Sequence, residues 1–245
     1  MQKTENGCYV IIKEKELIGG DDMSFNNLID NLTCEEKNNF DYYSQIRGVQ
    51  QYKIIYETLE KIAPGEITYK DVNSFVRYDK AIKDVLYKYL GTLEEYIKTY
   101  IFANYDLKKE AKLTKKEYIF FNQLQALIEK KTVSLDEVSE LYKRYRLNFK
   151  DMVDLLKEFE PNGKFVPDEL YLIKDLRNNV MHHSPLLFNI NGAEKVNETK
   201  KLITLLIKHL PLDYPKYIAE DINDKTKHIK NNINEKLYCV LLCEF

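Results

Sequence analysis

Asp79-Lys80-Ala81-Ile82-Lys83-Asp84-Val85-Leu86-Tyr87-Lys88-Tyr89-Leu90-Gly91-Thr92-Leu93-Glu94-Glu95-Tyr96-Ile97-Lys98-Thr99-Tyr100-Ile101-Phe102-Ala103-Asn104-Tyr105 is the most strongly periodic stretch of the chain. Ile82, Leu86, Leu90, Leu93, Ile97 and Ile101 recur at steps of three and four residues. An α-helix turns once in about 3.6 residues, so these groups wind into one apolar stripe, as a long core helix requires. Glu94 and Lys98 sit four residues apart, in the order that favours an ion pair along a helix.

Working outward, the pattern stays helical. Thr33 with Glu36 forms a capping-box arrangement at a helix start. Tyr52, Ile55, Leu59 and Ile62 mark a helix over about 48–62, ended by Pro64-Gly65. A short helix is predicted over 70–76. Further helices are predicted near 115–130, 135–146, 150–160, 167–183, 196–210 and 214–231, with a second capping box at Ser134 and Glu137. Pro161-Asn162-Gly163 and Asn189–Gly192 read as turns. Cys8–Ile12 and Leu237–Leu242 are the two strand-like apolar runs, and the two termini could pair as a small two-stranded sheet. The expected fold is all-α. One domain is predicted over residues 1–245, with a strand-and-turn extension over 1–32 and a helical core over 33–235.

Composition narrows the class. The chain has 245 residues and a formal charge of −2, so no global positive field argues for a nonspecific nucleic-acid binder, although a local basic groove stays open. The four cysteines, Cys8, Cys34, Cys239 and Cys243, contain no C-x-x-C and match no zinc spacing. They read as reduced and mostly buried. No metal and no cofactor is expected. No stretch approaches the roughly 20 apolar residues of a membrane span, and no secretory leader is evident, which points to a cytoplasmic protein. There are only five arginines and four histidines, so each is worth placing.

One arginine and two histidines fall together in Leu172-Ile173-Lys174-Asp175-Leu176-Arg177-Asn178-Asn179-Val180-Met181-His182-His183-Ser184-Pro185. Leu170, Ile173, Leu176 and Val180 give this segment a buried helical face. Pro185 disfavours helix at Ser184, so the helix should end near His183. Along a straight helix five residues advance roughly 500°, which turns His182 about 140° away from Arg177. A distorted helix end, or two helices facing across a two-fold axis, would bring the pair together.

Arg177-Asn178 followed by three residues and His182 resembles the R-N-x-x-x-H signature of HEPN ribonucleases, also found in the nuclease domains of RNA-targeting type VI CRISPR effectors. The extended form, through His183-Ser184-Pro185, resembles the abortive-infection (Abi, AbiF-like) branch of that superfamily. Tyr78-Asp79, Ile82-Lys83, Leu93-Glu94 and Lys98 fall where that family carries Y-D-x-x-L-R and I-E-x-x-x-R. Lys83 and Lys98 stand where arginine is usual, which keeps the charge and loses the bidentate fork. The resemblance runs over about 40–210, loosely outside the two motifs.

It implies a HEPN-like helical bundle and a homodimeric antiphage, toxin-like endoribonuclease, silent until infection and held by an antitoxin protein or a regulatory small RNA. Some such toxins carry a modifiable tyrosine two residues after the histidine; here Ser184 stands there. Cleavage would use the 2′-hydroxyl of the RNA. His182 suits the proton transfers and Arg177 the phosphate, with Asn178 orienting either. His183 is a supporting residue at most, its side chain lying about 100° from that of His182 on a helix, which also argues against a metal held by the two.

Each feature has a plainer reading. Arg177 and His182 would serve equally as a capping pair for the open carbonyls of a helix end. Tyr142–Arg146 with Lys150 is the densest basic-aromatic cluster; Lys143, Arg144, Tyr145, Arg146 and Lys150 suit an RNA backbone, and suit a solvated helix end better. His209 and His228 have no evident partner. Two other functions fit the same residues: a noncatalytic RNA-binding or scaffold module for a structured small RNA, and a protein adaptor within a defence complex.

Overall fold

The computed structural model describes residues 2–3, 9–10, 23–104, 148–188 and 195–242. Within them the protein is all-α. Eight helices follow in order: α1 (Met23–Asp30), α2 (Cys34–Arg47), α3 (Val49–Ile62), α4 (Tyr69–Asn104), α5 (Phe149–Phe159), α6 (Pro167–Met181), α7 (Val196–His209) and α8 (Tyr214–Lys230). A 3-10 helix, Glu235–Val240, closes the series. The predicted helices near 115–130 and 135–146, the second capping box and the Asn189–Gly192 turn lie outside the described residues.

The chain divides into two compact units. The first holds Met1–Val85, His182–Lys200 and Ala219–Phe245, and the second Leu86–Met181 and Lys201–Ile218. Helix α4 contributes its start to the first unit and its remainder to the second.

In the first unit the helices start where their caps dictate. The Thr33 hydroxyl accepts the Glu36 N–H at 3.3 Å while the Glu36 carboxylate accepts the Thr33 N–H at 3.0 Å, the reciprocal arrangement read from the sequence. Gly48, at φ +81, breaks α2 from α3 with a backbone that side-chain-bearing residues rarely adopt. Phe40 meets the edges of Tyr52 and Tyr69, at 5.2 and 6.2 Å between ring centres. Phe75 meets Phe188 at 5.8 Å. Such pairs add to the area they bury. Phe25 packs on Tyr56 at 5.6 Å and seats α1 against α3, placing a helix in the region expected to be only strand and turn.

Helix α4 is a single element of 36 residues, absorbing the separate short helix predicted over 70–76. Val72 and Phe75, with the buried Asp79, continue the stripe's inner face backwards at steps of three and four, and no glycine or proline interrupts them. The Asp71 carboxylate accepts the Thr68 N–H at 3.1 Å at its start, and the Asn234 N–H at 3.3 Å. In the second unit Leu86, Leu90, Leu93, Ile97 and Ile101 are all buried, as the stripe predicts. Phe165 is edge-on to Tyr96 and Tyr100 at 5.5 and 5.2 Å.

Three expectations are corrected. The two termini do not pair as a sheet: Tyr9–Val10 pairs antiparallel with Gln2–Lys3, and Leu237 and Val240 belong to the 3-10 helix. Their three-residue spacing puts both on the inner side of a helix with three residues per turn, and the Asn234 side chain caps it by accepting the Lys236 N–H at 3.1 Å. Cys34 is disulfide-bonded and Cys239 is exposed and free, against four reduced and mostly buried thiols; Cys8 and Cys243 lie outside the described residues. Glu94 faces Arg177 rather than Lys98. No helix among the described residues is long and apolar enough to cross a membrane.

Candidate functional site

The turn after α6 is built by a buried charge pair on α4. Asp79 and Lys83, one helical turn apart, form an ion pair whose side chains are 0% and 6% exposed. The second oxygen of Asp79 accepts the Leu186 N–H at 2.7 Å. The Lys83 ammonium donates to the His183 carbonyl at 3.1 Å. Both ends of the turn over 183–186 are therefore pinned to one stretch of α4. The Thr199 hydroxyl, on α7, donates to the Leu186 carbonyl. These are the residues of the Tyr78-Asp79 and Ile82-Lys83 motif, so in this chain that motif holds the histidine turn. Lysine suffices at position 83 because one carbonyl and one carboxylate oxygen are its partners, and neither needs a planar fork.

Helix α6 ends at Met181, and His183 takes φ +56. A left-handed residue just past the last helical position reverses the chain and stops the helix. His182 and His183 are both exposed, at the mouth of a cavity of about 360 Å³ in the first unit. Three cations share its lining with them: Arg47 from α2, and Lys80 and Lys83 from α4. Ile46 and Val76 supply apolar wall, Gln51 an amide, and no carboxylate among the described residues lines it. Lys80 is held by Asp84 at 2.8 Å on the solvent side of α4. The Arg47 guanidinium lies 5.3 Å above the Tyr43 ring, a cation–π contact. Burial pushes the neighbouring Tyr52 hydroxyl up from its ordinary range, with Arg47 opposing.

Arg177 and Asn178 belong to the second unit. Arg177 is part-buried, with one terminal nitrogen 3.7 Å from the Glu94 carboxylate. Its Nε is buried and finds no hydrogen-bond acceptor among the described residues. Asn178 is half-buried on the same helix. His182 thus shares a cavity with Arg47, Lys80 and Lys83, and Arg177 is not among the residues that line it.

Sequence reasoning missed Arg47 and Lys80. They lie over a hundred residues before His182, and only the packing of α2 and α4 in the first unit brings them to it. The scarcity of arginine was the available signal for Arg47. Of the basic-aromatic cluster, Lys150 is exposed and paired with Asp154 at 2.8 Å on its own helix, which raises its pKa. Lys143, Arg144, Tyr145 and Arg146 lie outside the described residues.

His209, expected to be partnerless, is buried against Phe165 and bonded to Glu169 at 2.7 Å. Burial lowers its pKa, with Glu169 opposing. Glu169 also takes Lys208 at 2.7 Å, which holds its carboxyl below the usual range. This group is a structural ion pair at the end of α7. His228 is exposed. Among the described residues no cluster of histidine, cysteine, aspartate and glutamate is placed to hold a metal ion.

Chemically, the cavity offers two exposed imidazoles, and cations able to hold an anion beside them. No family model matches the chain, and neither a curated protein nor a solved structure matches it.

Proposed function

We propose that the protein is a HEPN-type endoribonuclease resembling the Abi family, acting on RNA without a metal. The observation that carries this reading is the setting of His182: an exposed imidazole just past the end of the helix that carries Arg177 and Asn178, opening into a cavity lined by cations and, among the described residues, by no carboxylate. That is the electrostatic setting a phosphodiester needs.

In the reaction a base removes the proton of the ribose 2′-hydroxyl. The 2′-oxygen attacks phosphorus, the bond to the 5′-oxygen breaks, and an acid protonates the leaving oxygen. The products are a 2′,3′-cyclic phosphate and a 5′-hydroxyl. His182 is assigned the proton transfers and Arg177 the nonbridging oxygens, with Asn178 orienting them and His183 in support. In a homodimer each role would be supplied twice. The protein would act in the cytoplasm as an abortive-infection toxin, restrained by an antitoxin.

The engagement of Arg177 by Glu94 favours a second reading, a noncatalytic module that docks a structured small RNA. Incubation with total RNA and tRNA in EDTA, followed by mapping of product ends, separates the two. Cyclic-phosphate ends from the wild type, and none from His182→Ala, support the nuclease. Full cleavage by His182→Ala removes His182 from the mechanism. Absence of cleavage, with RNA that co-purifies and survives Arg177→Ala/His182→Ala, favours the second reading.

A further inference from the structure

The surface of α2 beside the histidine cavity has a composition the proposed reaction does not use. Tyr42 is 62% exposed, and Tyr43, Ile46 and Val49 are also exposed. Tyr42 and Tyr43 meet edge to face at 5.1 Å, and the Arg47 guanidinium covers Tyr43. Arg47 and Ile46 then line the cavity with His182 and His183. A run of contacts therefore leads from exposed aromatic rings to an arginine that lines the same cavity as the imidazoles. Arg47 has no carboxylate partner within ion-pair distance among the described residues, unlike Lys80 and Lys83, which are held by Asp84 and Asp79.

A cation with no carboxylate partner among the described residues, at a cavity that none of them lines with a carboxylate, calls for an anion. Exposed rings beside it call for flat, weakly polar groups. Single-stranded nucleic acid supplies both at once: phosphates for the cation and bases for the tyrosines. A duplex does not, since its bases are stacked inside. The cavity volume, about 360 Å³, lies in the range of small-ligand sites and admits a phosphate with its ribose.

We infer that Arg47 is a phosphate ligand of the His182 cavity and that Tyr42 and Tyr43 form a stacking shelf for adjacent unpaired bases, so that the strand enters along α2. This rests on the nuclease reading for the identity of its ligand, RNA, and not for the presence of the site. It assigns the strand path to α2 and gives the cavity an arginine of its own.

The test uses a fluorescein-labelled 2′-O-methyl oligoribonucleotide of about ten nucleotides, within the usual reach of one single-strand site. It keeps phosphates and bases and cannot be cleaved by 2′-hydroxyl attack. Anisotropy is read at two salt concentrations for the full chain, Arg47→Gln, Arg47→Lys and Tyr42→Ala. Tyr42 is exposed enough that its replacement leaves the fold intact. Tyr42→Ala and Arg47→Gln should each weaken binding about tenfold, as loss of one stacked base or one phosphate contact does. Arg47→Gln should also flatten the dependence of log affinity on log salt by about 0.7, and Arg47→Lys should restore that slope.

Binding that Arg47→Gln and Tyr42→Ala leave unchanged overturns the inference, even if natural RNA is cleaved and the nuclease reading stands. Absence of oligonucleotide binding overturns it as well, and a dimer that Tyr42→Ala then dissociates would give the shelf to a second copy of the chain. Arg47-dependent binding without any cleavage sustains the inference while removing the nuclease reading.

Discussion

Removing one member of the Asp79–Lys83 pair should cost far more than removing both. In Lys83→Met the Asp79 carboxylate is left with no exposure and no counter-charge, and breaking a buried pair in this way costs about 3–5 kcal/mol. Asp79→Asn leaves the Lys83 ammonium buried with only the His183 carbonyl, a similar loss of ~3 kcal/mol. The double variant Asp79→Asn/Lys83→Met carries no buried charge and keeps an oxygen for the Leu186 N–H. Its cost reduces to unsatisfied amide hydrogens, about 1–3 kcal/mol. The two single losses therefore exceed the double by ~3 kcal/mol or more, a coupling well above that of independent sites. Urea unfolding followed by circular dichroism reads this directly. With a slope of about 1–3 kcal/mol per molar, each single variant should lower the midpoint by ~1 M or more, and the double should recover much of it. Hydrogen exchange at the Leu186 amide gives a local check: Asp79→Ala should lose its protection. Single variants that cost under ~1 kcal/mol, or that simply add, would refute the idea that this pair holds the histidine turn.

Other expectations follow from the same geometry. Gly91 sits inside α4 with open space where a Cβ would go, so Gly91→Ala should raise stability by about 0.5–1 kcal/mol, read as a higher urea midpoint. Gly48→Ala should instead destabilise by about 1 kcal/mol or more despite equally open space, because its φ is +81. Thr33→Ala should cost about 0.5–2 kcal/mol by opening the capping box of α2. His209 titrates below its ordinary 6.5 in the folded protein, so as pH falls past 6.5 the unfolded chain takes up a proton that the folded one refuses. Stability is thus lost on acidification below 6.5. Glu169, held low chiefly by Lys208, adds a second loss as pH drops below the usual 4.5 towards its own lowered value. His209→Gln should remove the upper part of this melting-temperature slope, and an unchanged slope would contradict the assignment.

Helices were legible where period and punctuation agreed. The α3 pattern stops at Pro64-Gly65, and the structure ends α3 at Ile62. The α4 stripe was legible, but its start was not: in the sequence Lys70–Val76 and the stripe from Asp79 read as separate segments, and it is the burial of Phe75 and Tyr78 together that joins them. Leu237–Leu242 looked like a strand because a run of apolar residues carries no period of its own; burial of Leu237 and Val240 together, not local preference, makes it a 3-10 turn. In the candidate site, His182 and His183 were legible as chemically capable residues near a helix stop. Asp79 and Lys83 were visible as a motif, but their action on the carbonyl of His183 was not, since a hundred residues of chain separate them. Arg47 and Tyr42 carried no pattern at all. Their part depends on where packing turns the last residues of α2.

The left-handed backbone of His183 also confounds the usual reading of an alanine scan at this site. Alanine there deletes an imidazole and, at the same time, replaces histidine, which is several-fold enriched at positive φ, by a residue that adopts it less readily, the Cβ strain itself being common to both. A loss of activity in His183→Ala would then masquerade as chemistry. Glycine, which accepts the same φ freely, deletes the ring while leaving the reversal intact, and asparagine tolerates it better than most. The contrast between His183→Gly and His183→Ala therefore separates what the ring does from what the bend does, and only a defect shared by both belongs to the imidazole.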